Sequence, residues 1–298
     1  MIINTRSNEH IVKAMKKMHS LVESPDVNEI REHQENVSSL FINREVEYED
    51  IDIEGIKAEW VKSEEDVRED YVILYCHGGG YNTGSFHYAR SITNKLAENT
   101  NLKVLAFDYR LAPEFPYPCA LEDALTVWNY LLSLGYSGDK IIIAGDSAGG
   151  NLTLSLNLKL KELGNELPRG LVLFSPWTDL TLEGVSHVER AEMDPILSEE
   201  YIVNAVNDYA KDEDLNNPLI SPLFGNFEGF PPTYIQVGDH EILLSDSEEL
   251  ASCMNAYGVD VKFELYEGMW HVFQMSPLKT GVDAMERVGE YIKELIDK

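Results

Sequence analysis

The segment "KIIIAGDSAGGNLTLSLNLKL", residues 140–160, runs four apolar residues into Gly145-Asp146-Ser147-Ala148-Gly149 and continues with leucines at helical spacing. A serine hydroxyl attacks a carbonyl only when a base takes its proton and when it stands clear of neighbouring backbone. A strand-to-helix elbow supplies the clearance. It holds Ser147 in a strained conformation, and Gly145 and Gly149 are needed because side chains there would collide across the turn. The helix that follows aims its first amides, beginning with Ala148, at negative charge developing beside the serine. The chemistry on offer is acyl transfer. A plain tight turn packing a helix onto a sheet could carry the same short pattern, so other residues must join it.

The stretch "YVILYCHGGGYNTGS", residues 71–85, ends a buried strand in His77 and three successive glycines. Bare amides in such a run approach a ligand closely and can converge on one oxygen. Gly79 and Gly80, with Ala148, would give three donors for an oxyanion, and losing one such donor typically costs about 2.7–4 kcal/mol of transition-state stabilisation. A phosphate loop is the other use of such a run, but neither GxxxxGK[ST] nor GxGxxG is present.

A base and an acid complete the set. Of eight histidines, His271 in "VKFELYEGMWHVFQM" follows the last strand pattern and precedes the last helix, at the same sheet edge as Ser147. After the preceding strand, "TYIQVG", the residues "DHEILLSDSEEL" offer Asp239, Glu241 and Asp246. A carboxylate that accepts from the imidazole holds its tautomer and stabilises the imidazolium formed during attack. Glu241, thirty residues before His271, is the preferred acid, with Asp239 second.

The elements that must position these residues alternate. Strand patterns occupy residues 45–51, 56–61, 71–76, 103–107, 140–145, 170–175, 233–237 and 261–266. Helical patterns occupy 87–98, 118–134, 148–163, 244–257 and 282–296. From residue 71 onward this β-α-β-α rhythm predicts a mostly parallel sheet covered on both faces, with its ligand site outside the carboxyl ends of the strands. Residues 1 to about 42 read as helical, and residues 180–222 interrupt the rhythm with a helix near 199–210. Both are expected to pack over the strand ends as a cap, within one domain spanning 1–298.

Composition narrows the partners. The net charge of −28, from 52 acidic against 24 basic residues, repels phosphate backbones and anionic lipid heads. No run of eighteen apolar residues and no signal-peptide pattern is present, so a cytoplasmic protein without membrane insertion is expected. Cys76, Cys119 and Cys253 are widely spaced and read as reduced thiols, with Cys76 in the core. Neither HExxH nor a Cys/His cluster occurs, so no metal or organic cofactor is implied. An edge-strand or last-helix homodimer is compatible with this organisation.

Taken in order, "HGGG" (77–80), "DYRLAPE" (108–114), "GDSAGGN" (145–151), "SPWTDL" (175–180) and "EGMWHVF" (267–273) make the chain resemble the hormone-sensitive-lipase-like family of α/β hydrolases, chiefly its bacterial carboxylesterase branch. The resemblance implies an α/β-hydrolase fold with an eight-stranded sheet, helices on both faces, a helical cap, and a triad in the order Ser, acid, His. It makes Ser147 the nucleophile, His271 the base, and Gly79, Gly80 and Ala148 the oxyanion donors. Asp108 and Arg110 become structural supports of the glycine loop. Many members carry Asp-Pro-Leu at the acid position, where this chain has Glu241-Ile242-Leu243; a branch of the family uses Glu there. The implied activity is a serine carboxylesterase acting on small-molecule, short-chain esters. The same constellation can serve an amidase, deacetylase or lactonase, or a non-catalytic small-ligand receptor.

Overall fold

The structure, a computed structural model, describes residues 1–3, 10, 26–38, 45–64 and 67–298. Most of the helical reading over residues 1–42 therefore lies outside the described residues; within it, helix α1 spans Val27–Ser38.

Nine strands form one sheet among these residues: β1 (Ile2–Ile3), β2 (Val46–Ile53), β3 (Ile56–Ser63), β4 (Arg68–Cys76), β5 (Leu102–Phe107), β6 (Ile141–Asp146), β7 (Gly170–Phe174), β8 (Thr233–Gly238) and β9 (Val261–Tyr266). Their order is β1-β9-β8-β7-β6-β4-β5-β3-β2. The β2–β3 and β3–β5 pairs are antiparallel and the rest parallel. All eight expected strands are present, and the expected count is corrected by β1. Two residues carry no period to read. They become a strand because the open edge of β9 offers partners, Leu265 N donating to Met1 O and Glu267 N to Ile3 O, each at 3.0 Å.

The central strands are apolar on both sides, and alternate residues enter different layers. Ile73, Tyr75, Ile142, Ala144 and Val172 pack with Ile92 and Leu96 of α2 (Phe86–Thr100) and Val288 and Ile292 of α8 (Lys279–Ile296). Leu74, Cys76, Ile143, Leu171 and Leu173 pack on the other face. There they meet Val127 of α3 (Cys119–Ser133), Leu152 of α4 (Ala148–Glu162) and Leu250 of α7 (Leu244–Ala256). Each fully buried aliphatic side chain contributes roughly 1.5–3 kcal/mol, which is why parallel strands read as continuous apolar runs.

Between β7 and β8 lie a short helix, α5 (Ser186–Glu189), and α6 (Glu199–Tyr209), whose first turn is capped by Ser198 accepting from Tyr201 N at 3.2 Å. The Tyr209 ring of α6 stacks on Tyr81 at 3.7 Å. Helix α1 is tied down by Arg31, which donates to Asn82 O (2.8 Å), Ala112 O (2.7 Å) and the Glu114 carboxylate (2.8 and 2.9 Å). Among the described residues, no helix is long and apolar enough to cross a membrane.

Candidate active site

Strand β6 ends at Asp146 and α4 begins at Ala148, so Ser147 alone makes the turn. Its backbone sits at φ 53°, ψ −121°, a region that L residues avoid. Crowding holds it there: a Cβ on Gly145 would run into Gly149 O, and one on Gly149 would meet the carbonyl oxygens of Cys76 and His77. The Ser147 side chain does not cap α4, although it occupies the capping position. Its backbone is held at both ends, Ser147 N donating to Phe174 O (2.9 Å) and Trp177 N to Ser147 O (3.1 Å).

The glycine loop, residues 77–85, lies against this elbow. Gly78 N and Tyr75 OH both donate to Asp146 Oδ1, at 2.9 and 2.6 Å. Burial pushes the Asp146 carboxyl up to about 6, against the pull of those two donors. Gly79 takes φ 112°, and its carbonyl accepts from Thr83 N at 2.9 Å. Asp108, as expected, supports this region: its carboxylate accepts from Phe86 N at 2.8 Å, at the start of α2. Arg110 does not. Its guanidinium finds the Asp123 carboxylate at 2.9 Å and Glu122 at 3.0 Å, and so ties its loop to α3. The prop that sequence reasoning missed is Tyr109, whose hydroxyl donates to His77 O at 2.9 Å and whose ring stacks on His77 at 4.1 Å. An aromatic residue between two charged ones gave no separate signal.

The candidate acid and base come from adjacent loops, after β8 and after β9. Glu241, fully buried, accepts from His271 Nδ1 (2.8 Å), Ser175 Oγ (2.9 Å) and Gly238 N (2.6 Å). Ser175 Oγ also accepts from Val272 N at 3.2 Å, so one hydroxyl braces both loops. Burial lowers the His271 pKa, but the Glu241 bond and charge, helped by Asp194 and Asp146, outweigh it and raise the imidazole above its ordinary value. Burial raises Glu241 in turn, and the histidine opposes that rise.

The other two candidate acids are engaged elsewhere. Asp239 accepts from Gly268 N at 2.6 Å and so staples the acid loop to the histidine loop. Asp246 accepts from Thr178 N and Asp179 N at 2.8 and 2.9 Å and lies 3.4 Å from His187 Nε2. Burial pushes the Cys76 thiol up to about 12, so it is inert near neutrality. Among the described residues, no group of three or more His, Cys, Asp or Glu side chains is placed to hold a metal ion.

Ser147, Glu241 and His271 thus stand beyond the carboxyl ends of β6, β8 and β9, with Ser175 after β7, the strand that separates β6 from β8. Asp146, beside Ser147, lies close enough to interact with the charge of a protonated His271. The arrangement sets a strained serine, an imidazole bonded to a buried carboxylate, and a glycine loop at one end of the sheet.

Comparison with known proteins places the fold and the class of activity. The family described as "alpha/beta hydrolase fold" matches residues 73–275. An esterase from Acinetobacter venetianus is 39% identical over 234 residues, 78% of this chain and 77% of that protein. An acetyl-hydrolase from Streptomyces hygroscopicus is 36% identical over 79% of each chain. The crystal structure of an esterase from the bacterial hormone-sensitive lipase family superposes with a TM-score of 0.93 at 34% identity, covering 98% of this chain and 99% of that one. The chain belongs to the α/β hydrolase fold family, among the hormone-sensitive-lipase-like esterases, the carboxylic ester hydrolases of that fold.

Proposed function

We propose that the protein is a serine carboxylesterase that hydrolyses short-chain carboxylic esters through an acyl-enzyme. His271 takes the Ser147 proton as the serine attacks the ester carbonyl. The amides of Gly79, Gly80 and Ala148 hold the oxyanion. His271 then protonates the leaving alcohol, and water repeats the cycle on the acyl-serine. Glu241 orients the imidazole and balances its charge. The observation that carries this reading is the 2.8 Å bond between Glu241 and His271 Nδ1, at the sheet edge where Ser147 makes its strained turn.

In this reading the chain is one hydrolase domain, and α1 with residues 180–222 forms its cap. Support comes from Tyr201 of α6, whose hydroxyl lies 2.8 Å from where a Cβ on Gly80 would stand, and from Arg31 of α1, bonded to Asn82 of the glycine loop. A cap suits small, partly soluble esters. The acetyl-hydrolase relative points the same way. The net charge of −28 favours a small-molecule partner over nucleic acid or an anionic membrane, and cytoplasmic placement belongs to the same reading.

Ser147→Ala should abolish turnover of p-nitrophenyl esters with the fold intact, and retained turnover would refute the assignment. A hydrolysis profile from two- to sixteen-carbon acyl chains, run beside amides and lactones, tests the substrate class. A maximum at long chains, or a preference for amides, would displace the short-ester reading.

A further inference from the structure

Beyond Ser147, Glu241 and His271, another buried carboxylate is bonded to the loop that carries Glu241. Asp194 lies in the segment between β7 and β8, shortly before α6, and is 5% exposed. Its Oδ1 accepts from Ile196 N and Leu197 N at 2.8 and 2.9 Å, closing its own turn. Its Oδ2 leaves that turn and accepts from Ile242 N at 2.9 Å. Ile242 directly follows Glu241. Its carbonyl is held from the same segment, by Ser186 Oγ at 2.5 Å, and Ser186 Oγ accepts from Ser245 N at 2.9 Å. Both backbone polar groups of Ile242 are therefore gripped by side chains of the insert.

Burying a carboxylate is costly even with three amide donors, and a neutral side chain could accept from amides as well. The charge gains its use from His271. The groups that act on that imidazole are Glu241 from the acid loop, Asp194 from the insert and Asp146 from the end of β6.

We propose that Asp194 is a positioning residue of the hydrolytic site: its bond to the Ile242 amide seats the acid loop so that Glu241 meets His271. The insert is then part of the catalytic alignment as well as a cover. This rests on the serine-esterase reading above.

The test is the pH profile of kcat/KM for p-nitrophenyl acetate in Asp194→Asn, Asp194→Ala and Ser186→Ala. Asn keeps an acceptor for Ile196 and Leu197 but loses the charge and turns a donor toward the Ile242 amide. In both Asp194 variants kcat should fall on the order of tenfold with KM little changed, since small misplacements at a reacting site are expensive. The acid limb should move down by about half a pH unit or more, as removal of a nearby opposite charge requires. Ser186→Ala loosens the same residue without touching the charge, so its limb should stay. Near-UV circular dichroism and fluorophosphonate labelling of Ser147 report an intact site. A limb that does not move in the Asp194 variants, or an undiminished kcat, overturns the proposal. Active Ser147→Ala protein would instead sink the underlying esterase reading, and the proposal with it.

Discussion

Glu241→Gln keeps the side chain's shape and removes its charge, in a fully buried position. Gln can still accept through Oε1 from Ser175 Oγ and Gly238 N, which now lie at 2.9 and 2.6 Å from the same oxygen. The fold should survive. What changes is the 2.8 Å contact with His271 Nδ1, where the amide NH₂ replaces an acceptor. Two donors cannot face each other, so the imidazole turns to its other tautomer and presents Nε2–H to Ser147. It can no longer accept that proton. The equivalent tautomer error in the serine-protease triad costs about 10⁴-fold in kcat, which is about 5 kcal/mol at 1.36 kcal/mol per tenfold.

The pH dependence carries a second, independent sign. The parent histidine is raised above its ordinary value, so the acid limb of kcat/KM should lie above pH 6.5, activity being lost as pH falls through it. Without Glu241, burial pulls the imidazole down and the residual activity should persist to lower pH. The assay is p-nitrophenyl acetate hydrolysis from pH 5 to 9, with Asp239→Asn alongside. Asp239 bonds a backbone amide, so its loss should cost no more than about tenfold. A Gln variant within tenfold of the parent, with its acid limb unmoved, would refute the reasoning. So would a collapse confined to Asp239→Asn.

Gly149→Ala should destabilise the protein by about 3 kcal/mol, measured by urea unfolding, because the added methyl meets the carbonyls of Cys76 and His77. A neutral result would mean that the elbow is not held by crowding. Tyr109→Phe strips the donor from buried His77 O and should cost about 1–2 kcal/mol of stability. It should also lower kcat more than it raises KM, as the glycine loop loses its prop. Equal stability and kcat would count against that role. The Arg31 guanidinium beside Glu114 holds its carboxyl down at about 2. This ion pair supports α1 fully above the unfolded carboxyl's ordinary value near 4.5, and the support fades as pH falls from there toward 2. The protection of the Val27–Ser38 amides against hydrogen exchange, taken relative to their intrinsic rate at each pH, should therefore fall on acidification, and less so in Glu114→Gln, where the support is already lost. Identical acid responses would contradict the pairing.

The legible parts of this protein were those encoded locally. Four apolar residues before Gly145 make a buried strand, and the small residues at 145, 148 and 149 leave room for an elbow whatever surrounds them. Alternation from residue 71 onward dictated a parallel sheet, whose geometry places the loops after β6, β7, β8 and β9 along one end. The thirty-residue step from Glu241 to His271 is one helix–strand repeat, so adjacent strands deliver the pair to one place.

Other features had no local code. Ile2–Ile3 becomes a strand because β9 has a free edge, and Arg110 turns from the glycine loop because Asp123 of α3 waits nearby. Tyr109, Ser175 and Asp194 act on residues far away in the chain, through hydroxyls and a carboxylate that any surface segment could carry. Periodicity and turn chemistry are properties of neighbours along the chain, and those the sequence alone determined. Which buried donor meets which acceptor across loops depends on angstrom-scale distances between strands and helices, and only the tertiary structure decided it.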